Sequence, residues 1–260
     1  IEVINGWYGR KDIPVGAPKG YSAPRLTTSM LRTDWPGYLV SHFAHATDST
    51  ACAPSAVETY RRVLSRQPDG SVTICTLGFF SNLKALLASA PDRWSKLSGK
   101  DLVAKKVKLL VSMAGAFPNG YEFNVYWDAD AARTVADEWP TPIIFSGWEI
   151  GSEIFTGNAV RDLPGDISAN PIKAAYTLAL SEDDRPHGRE SWDQTAALVA
   201  IRGAAPWFTL RHGHMTVDGK GNNKWTDDPQ GQHAYLVFAQ PIKQVRDAIE
   251  ALMTQMPRKR

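Results

Sequence analysis

Ser71-Val72-Thr73-Ile74-Cys75-Thr76-Leu77-Gly78-Phe79-Phe80-Ser81-Asn82-Leu83 decides how this chain folds. The turn signal Pro68-Asp69-Gly70 precedes it, and its first seven residues are mostly β-branched or apolar. Such a short apolar run, bounded by turn residues, reads as a buried strand. Gly78 interrupts it, and Phe79 to Leu83 leads into a helix through Leu87. Before it, Val57, Tyr60, Val63 and Leu64 recur at helical spacing within residues 55–66, with a polar opposite face.

The same alternation continues downstream. Residues 106–113 read as a second strand, followed by Gly115 and a polar segment from Asn119 to Asn124. Asp128-Ala129-Asp130-Ala131-Ala132 starts a helix with Asp128 as N-cap. Residues 141–147 form the next strand, and residues 193–201 are apolar at helical spacing. Toward the end, residues 208–217 and 219–225 read as a hairpin, and residues 242–253 as a closing amphipathic helix. Near the beginning, residues 12–16 suggest a short strand after the end of a helix in residues 3–10. Strands alternating with helices predict an α/β fold: an open, mostly parallel, Rossmann-like sheet with helices on both faces and a C-terminal hairpin plus helix. Residues 1–260 read as a single domain that opens part-way through its architecture.

Composition narrows the functional classes. With 260 residues, 43% of them hydrophobic, the chain can bury a substantial core. A net charge of +2 gives no independent case for nucleic acid or an anionic membrane as partner. The cluster Lys105, Lys106, Lys108 and the tail Pro257-Arg258-Lys259-Arg260 read as solvated surface. No apolar run approaches the roughly 18 residues of a membrane helix. Cys52 and Cys75 make neither a disulfide framework nor a zinc site, and Cys75 reads as a buried thiol in its strand.

The candidate chemistry lies in Asn119, Glu122 and Asn124, and far downstream in Asp193 of Ser191-Trp192-Asp193-Gln194. Carboxylates and amides just after apolar runs can converge on a polyhydroxylated substrate and a hard cation, and strand ends are where such sites form in open α/β sheets.

Several motifs in order resemble the calcium-dependent nucleoside hydrolases of the inosine-uridine-preferring type, particularly a bacterial branch of nucleoside hydrolase-like proteins. Gly9-Arg10-Lys11-Asp12-Ile13-Pro14-Val15 resembles that family's segment before its second strand. Leu77-Gly78-Phe79-Phe80-Ser81-Asn82-Leu83 is similar to its Leu-Gly-Pro-Leu-Thr-Asn-Leu signature. Met113-Ala114-Gly115-Ala116-Phe117, then Glu122-Phe123-Asn124 and Asp128-Ala129-Asp130-Ala131-Ala132, resemble Met-Gly-Gly, Glu-Phe-Asn and Asp-Pro-Glu-Ala-Ala.

The resemblance implies hydrolysis of the N-glycosidic bond of a nucleoside or related riboside, with Ca2+ as cofactor. It implies that the Ser81 carbonyl and Asp193 are calcium ligands, oxygen donors for a hard cation. Glu122 and Asn124, joined by Asn119, would hold ribose hydroxyls. The ion would contact the sugar diol and activate a water for attack at the anomeric carbon. A homo-oligomer and a periplasmic or secreted location follow from the same resemblance. The sequence departs from the family in two places. The Asp-x-Asp-x-x-x-Asp-Asp motif, which supplies the catalytic base and most calcium ligands, is absent from these residues. The expectation is therefore a base upstream of Ile1 or on a separate N-terminal fragment, and an isolated chain that is impaired. In addition, Trp192 stands where purine-and-pyrimidine members often carry a histidine. An indole is no general acid, but its ring can stack on a base.

Each residue also has a local reading. Asp193 suits a helix N-cap, Glu122 and Asn124 suit a turn after Pro118-Asn119-Gly120, and Ser81 suits a helix start. Trp148, just past a strand, either walls a base pocket or packs. Its neighbour Glu149 is either a site residue or an arginine's partner. His212, His214 and His233 read as surface or structural residues. A non-catalytic nucleoside- or sugar-binding protein with a degenerate metal site is the alternative to the enzyme.

Overall fold

A computed structural model of the protein describes residues 1–20, 33–181 and 187–257. The strands among them are β1 (Val72–Thr76), β2 (Val107–Met113), β3 (Asn119–Tyr121), β4 (Ile143–Ser146), β5 (Phe155–Thr156), β6 (Arg189–Glu190), β7 (Phe208–Val217), β8 (Asn222–Asp227) and β9 (His233–Phe238). Among the described residues, seven of them build one sheet in the order β1-β2-β4-β9-β7-β8-β3, and β5 pairs with β6 separately. β1, β2, β4 and β9 run parallel to one another. Beyond β9 the pairing turns antiparallel through β7, β8 and β3.

Side-chain alternation explains why both faces of this sheet are covered. Leu110, Ile143, Phe145 and Tyr235 point into one apolar cluster, with Leu64, Leu83, Leu86, Leu102 and Val135 from the covering helices. Their sequence neighbours Val111, Ile144 and Leu236 point into a second cluster, with Ala196, Val199, Val245 and Ile249. A strand apolar on both faces stays buried only if helices pack on each side. The helices Ala56–Ser65, Ser81–Leu87, Gly99–Lys106 and Ala129–Glu138 cover the first face, and Trp192–Arg202 and Ile242–Met253 the second. A third, smaller cluster joins Val3, Leu39 and Ala174 from the helices Glu2–Trp7, Trp35–His42 and Pro171–Ser181.

The α/β architecture, the covered sheet, the hairpin and the closing helix match the expectation, and several elements differ from it. Residues 12–16 form no strand: Pro14 lacks a backbone donor, and the segment's ladder contact is an isolated bridge between Ala17 and Ser55. β9 sits inside the sheet between β4 and β7, although its apolar run Ala234-Tyr235-Leu236-Val237-Phe238 was not read as a strand. The helices Trp35–His42, Gly99–Lys106 and Pro171–Ser181 and the short strands β3, β5 and β6 likewise go beyond the sequence pattern. Arg258, Lys259 and Arg260 of the basic tail lie outside the described residues. No helix among the described residues is long and apolar enough to cross a membrane.

Candidate functional site

Thr76, Met113 and Ser146 end β1, β2 and β4 on one edge of the parallel strands. The helix Trp192–Arg202 begins at that edge. The Thr195 hydroxyl donates to the Trp192 carbonyl at 2.6 Å, so the Ser146 hydroxyl, 2.7 Å away, donates to Thr195. Ser191 occupies the N-cap position, which leaves Asp193 in the first turn rather than capping. A carboxylate there is favoured by the helix dipole. The Asp193 side chain is exposed to solvent at that end of the sheet. Desolvation there pushes its carboxyl up to about 6, and the Arg189 guanidinium pulls it down. Its exposure tempers the shift.

Across from Asp193 stands Glu122, only 3% exposed. It caps the short helix Phe123–Tyr126: Oε1 accepts from the Asn124 N–H at 2.9 Å, and Oε2 from the Val125 N–H at 3.3 Å. Oε2 also accepts from the Gly115 N–H at 3.2 Å, which ties the cap to the loop after β2. Burial pushes the Glu122 carboxyl up to about 7, against the pull of those three N–H groups, and the charge of Asp193 adds to the rise. Both acids therefore sit well above the ordinary carboxylate range.

The other expected residues divide. Asn124 is buried, and its amide donates to the Met113 carbonyl at 3.0 Å, so it pins the end of β2. Trp148 and Trp192 are brought together, the Trp192 indole N–H donating to the Trp148 carbonyl at 3.0 Å. Trp148 itself is 51% exposed, leaving an aromatic surface free beside the strand ends. Ser81 opens the helix that follows β1, at the same edge of the sheet. Asn119 is not among these contacts: its backbone pairs with Lys224 in the β3–β8 ladder, and it is exposed.

Other residues of the site emerge only from the structure. Arg189 bears on Asp193 from β6, and Gln194 donates to the Tyr176 phenol at 3.0 Å. Glu149 pairs with no arginine among the described residues; it accepts the Phe117 N–H at 3.1 Å, and burial raises its pKa. His233 is structural: it is buried, its Nδ1 accepts from the Met215 N–H, and desolvation lowers its pKa to about 4. His214 pairs at the surface with Asp228.

The implied cation asks for more oxygens than these residues offer. Ca2+ takes about six to eight oxygen ligands, carboxylates binding through one or both oxygens, so Asp193 with the Ser81 carbonyl would fill less than half of its shell. Among the described residues no three of His, Cys, Asp or Glu converge on a common point. These residues do not fit the ion by themselves.

Comparison with known proteins identifies a family for this chain. The model of the inosine-uridine preferring nucleoside hydrolases matches residues 3–237. An uncharacterised protein of Schizosaccharomyces pombe is 29% identical over 186 residues, which cover 65% of this chain and 53% of that protein, so the match spans about half of that relative's length. Among solved structures, a plant nucleoside hydrolase aligns with a TM-score of 0.68 at 19% identity, covering 96% of this chain and 83% of that one. The inosine-uridine preferring nucleoside hydrolase of Bacillus anthracis aligns with a TM-score of 0.65 at 17% identity, over 97% and 83%. At such identities the structural likeness shows the fold.

Proposed function

The chain belongs to the inosine-uridine preferring nucleoside hydrolase family, and on that premise we propose that it hydrolyses the N-glycosidic bond of ribonucleosides to free base and ribose. The observation that carries this reading is the family match across residues 3–237, which contains every residue of the site.

Cleavage of an N-glycosidic bond builds positive charge on the sugar, so a carboxylate preorganised beside the anomeric carbon lowers the barrier. Asp193 is the accessible carboxylate of the site and takes that place. Glu122 and Asn124 shape the sugar side, with Glu122 retaining acceptor capacity beyond its three backbone donors. Trp148 and Trp192 offer ring faces to the base, an offset-stacking contact that needs no ionisable group. Asp193 and the Ser81 carbonyl are the oxygens this chain offers a calcium ion. Because they do not complete its shell, the chain alone is expected to hydrolyse slowly unless further carboxylates reach Asp193.

The second reading, nucleoside binding without hydrolysis, is favoured by Arg189, whose positive charge beside Asp193 opposes a cation there. Ribose release from a mixed nucleoside panel, in calcium and again in chelator, separates the two. Release that disappears in Asp193→Ala supports the hydrolase. Saturable nucleoside binding with no ribose released, even when calcium is abundant, overturns it in favour of the binding protein.

A further inference from the structure

Residues 114–117 leave β2 as a loop in which each backbone N–H is held by a different part of the chain. Ala114 donates to the Ser146 carbonyl at 3.2 Å, Gly115 to Glu122 at 3.2 Å and Phe117 to Glu149 at 3.1 Å. Ala116 is held at both of its backbone groups by one side chain. Its N–H donates to Asn223 Oδ1 at 2.8 Å, and its carbonyl accepts from Asn223 Nδ2 at 2.8 Å. Asn223 lies on β8 in the C-terminal hairpin, is fully buried, and pairs in register with Val217 on one side and Gly120 on the other.

Asn223 therefore grips the connection from β2 to β3 twice, at Ala116 through its amide and at Gly120 through the ladder. Glu122 follows Gly120 by two residues, and its carboxylate is bonded to the Gly115 N–H next to Ala116. A primary amide carries an acceptor and a donor side by side, so it can accept from the N–H and donate to the carbonyl of the same residue. Burial makes either loss costly, because each orphaned backbone group forfeits its partner away from water.

We propose that Asn223 is a positioning residue of the site: by fixing both backbone groups of Ala116, it sets the Gly115 N–H and hence the Glu122 carboxylate and the Asn124 turn that face the sugar. The hairpin thereby controls the geometry of one wall. The kinetic consequence rests on the hydrolase reading, whereas the structural consequence does not.

The test is Asn223→Asp, which keeps shape and the acceptor but removes the donor to Ala116, with Lys224→Ala on the exposed side of the same strand as control. Two readouts are taken at a temperature where the variant is fully folded. The amides of Asn124 and Val125, which touch Glu122 and not Asn223, are expected to exchange with deuterium at least about tenfold faster than in the wild type. For ribose release, kcat/KM is expected to fall about tenfold with the loss carried mainly by KM, as for a displaced binding wall. Lys224→Ala should leave both unchanged. Unaltered exchange and an unaltered KM, with only a lower unfolding temperature, would reduce Asn223 to a packing role and overturn the proposal. If the wild type releases no ribose, the hydrolase reading fails and the exchange rates alone decide. Should Asn223→Asp not fold, Asn223→Ser carries the same two measurements.

Discussion

The indole N–H of Trp192 donates to the main-chain carbonyl of Trp148 at 3.0 Å, while the Trp148 N–H donates to the Gly115 carbonyl at 2.8 Å. Trp148, two residues past β4, thus joins the helix start that carries Asp193 to the loop that holds Glu122. The two acids, 71 residues apart in sequence, owe their relative placement to this bridge as much as to the sheet beneath them.

Trp192→Phe keeps an aromatic ring and removes the donor. The expected cost is about 0.5–1.5 kcal/mol of stability, the net worth of one such hydrogen bond, together with weaker nucleoside turnover. Denaturant unfolding and ribose release on the same preparation check it. Unchanged kinetics would show that the bridge does not govern the site.

Gly151 allows the closest approach in this region. A Cβ added there would fall 2.3 Å from the Trp192 Cα, which is backbone and cannot swing aside. Gly151→Ala is expected to cost about 1–3 kcal/mol, as overpacking does. For a chain of this size, thermal unfolding should fall by about 2–4 °C for each kcal/mol. A variant as stable as the wild type would mean that the helix start can shift freely.

Glu122 gives a pH signature. Its carboxyl rises from an ordinary value of 4.5 to about 7 in the folded protein. A folded-state pKa above the unfolded one means that this group's stabilisation is complete below about pH 4.5 and is lost as pH climbs toward about 7. Glu122→Gln cannot ionise, so that slope should vanish. Its amide would also meet a backbone N–H in either orientation, so the variant should be less stable at low pH. Unfolding midpoints measured from pH 4 to 8 test both points, and an unchanged slope in the variant would assign it to other groups.

Arg61 serves stability alone. It is 2% exposed and donates to Ser89 Oγ, to Asp92 and to the carbonyls of Ser95 and Leu97, locking residues 89–97 onto the helix Ala56–Ser65. Arg61→Ala should cost about 3–5 kcal/mol, because it orphans buried partners of a charged group. Kinetics at a temperature where the variant is folded should match the wild type; a kinetic defect there would connect this latch to the site.

Much of this protein was legible in local pattern. The apolar run before Gly78, the helical spacing of Val57, Tyr60, Val63 and Leu64, and the hairpin after Phe208 are encoded within windows of a dozen residues. Periodicity within such a window decides which faces are apolar, so strand, helix and double-sided burial followed from the sequence alone. Asp193 at a helix start was equally readable. Tertiary structure decided the rest, because strand order and register bring together residues that no window contains. Asn223 reaches Ala116 across 107 positions only because β8 lies next to β3. Glu122 looked like a free sugar ligand, but three N–H groups, one of them from Gly115 across the loop, converge on it once the chain folds. Asn119, a neighbour of Glu122 in sequence, is taken into the antiparallel ladder opposite Lys224, since a strand follows its hydrogen-bonding partner and not its position in the chain.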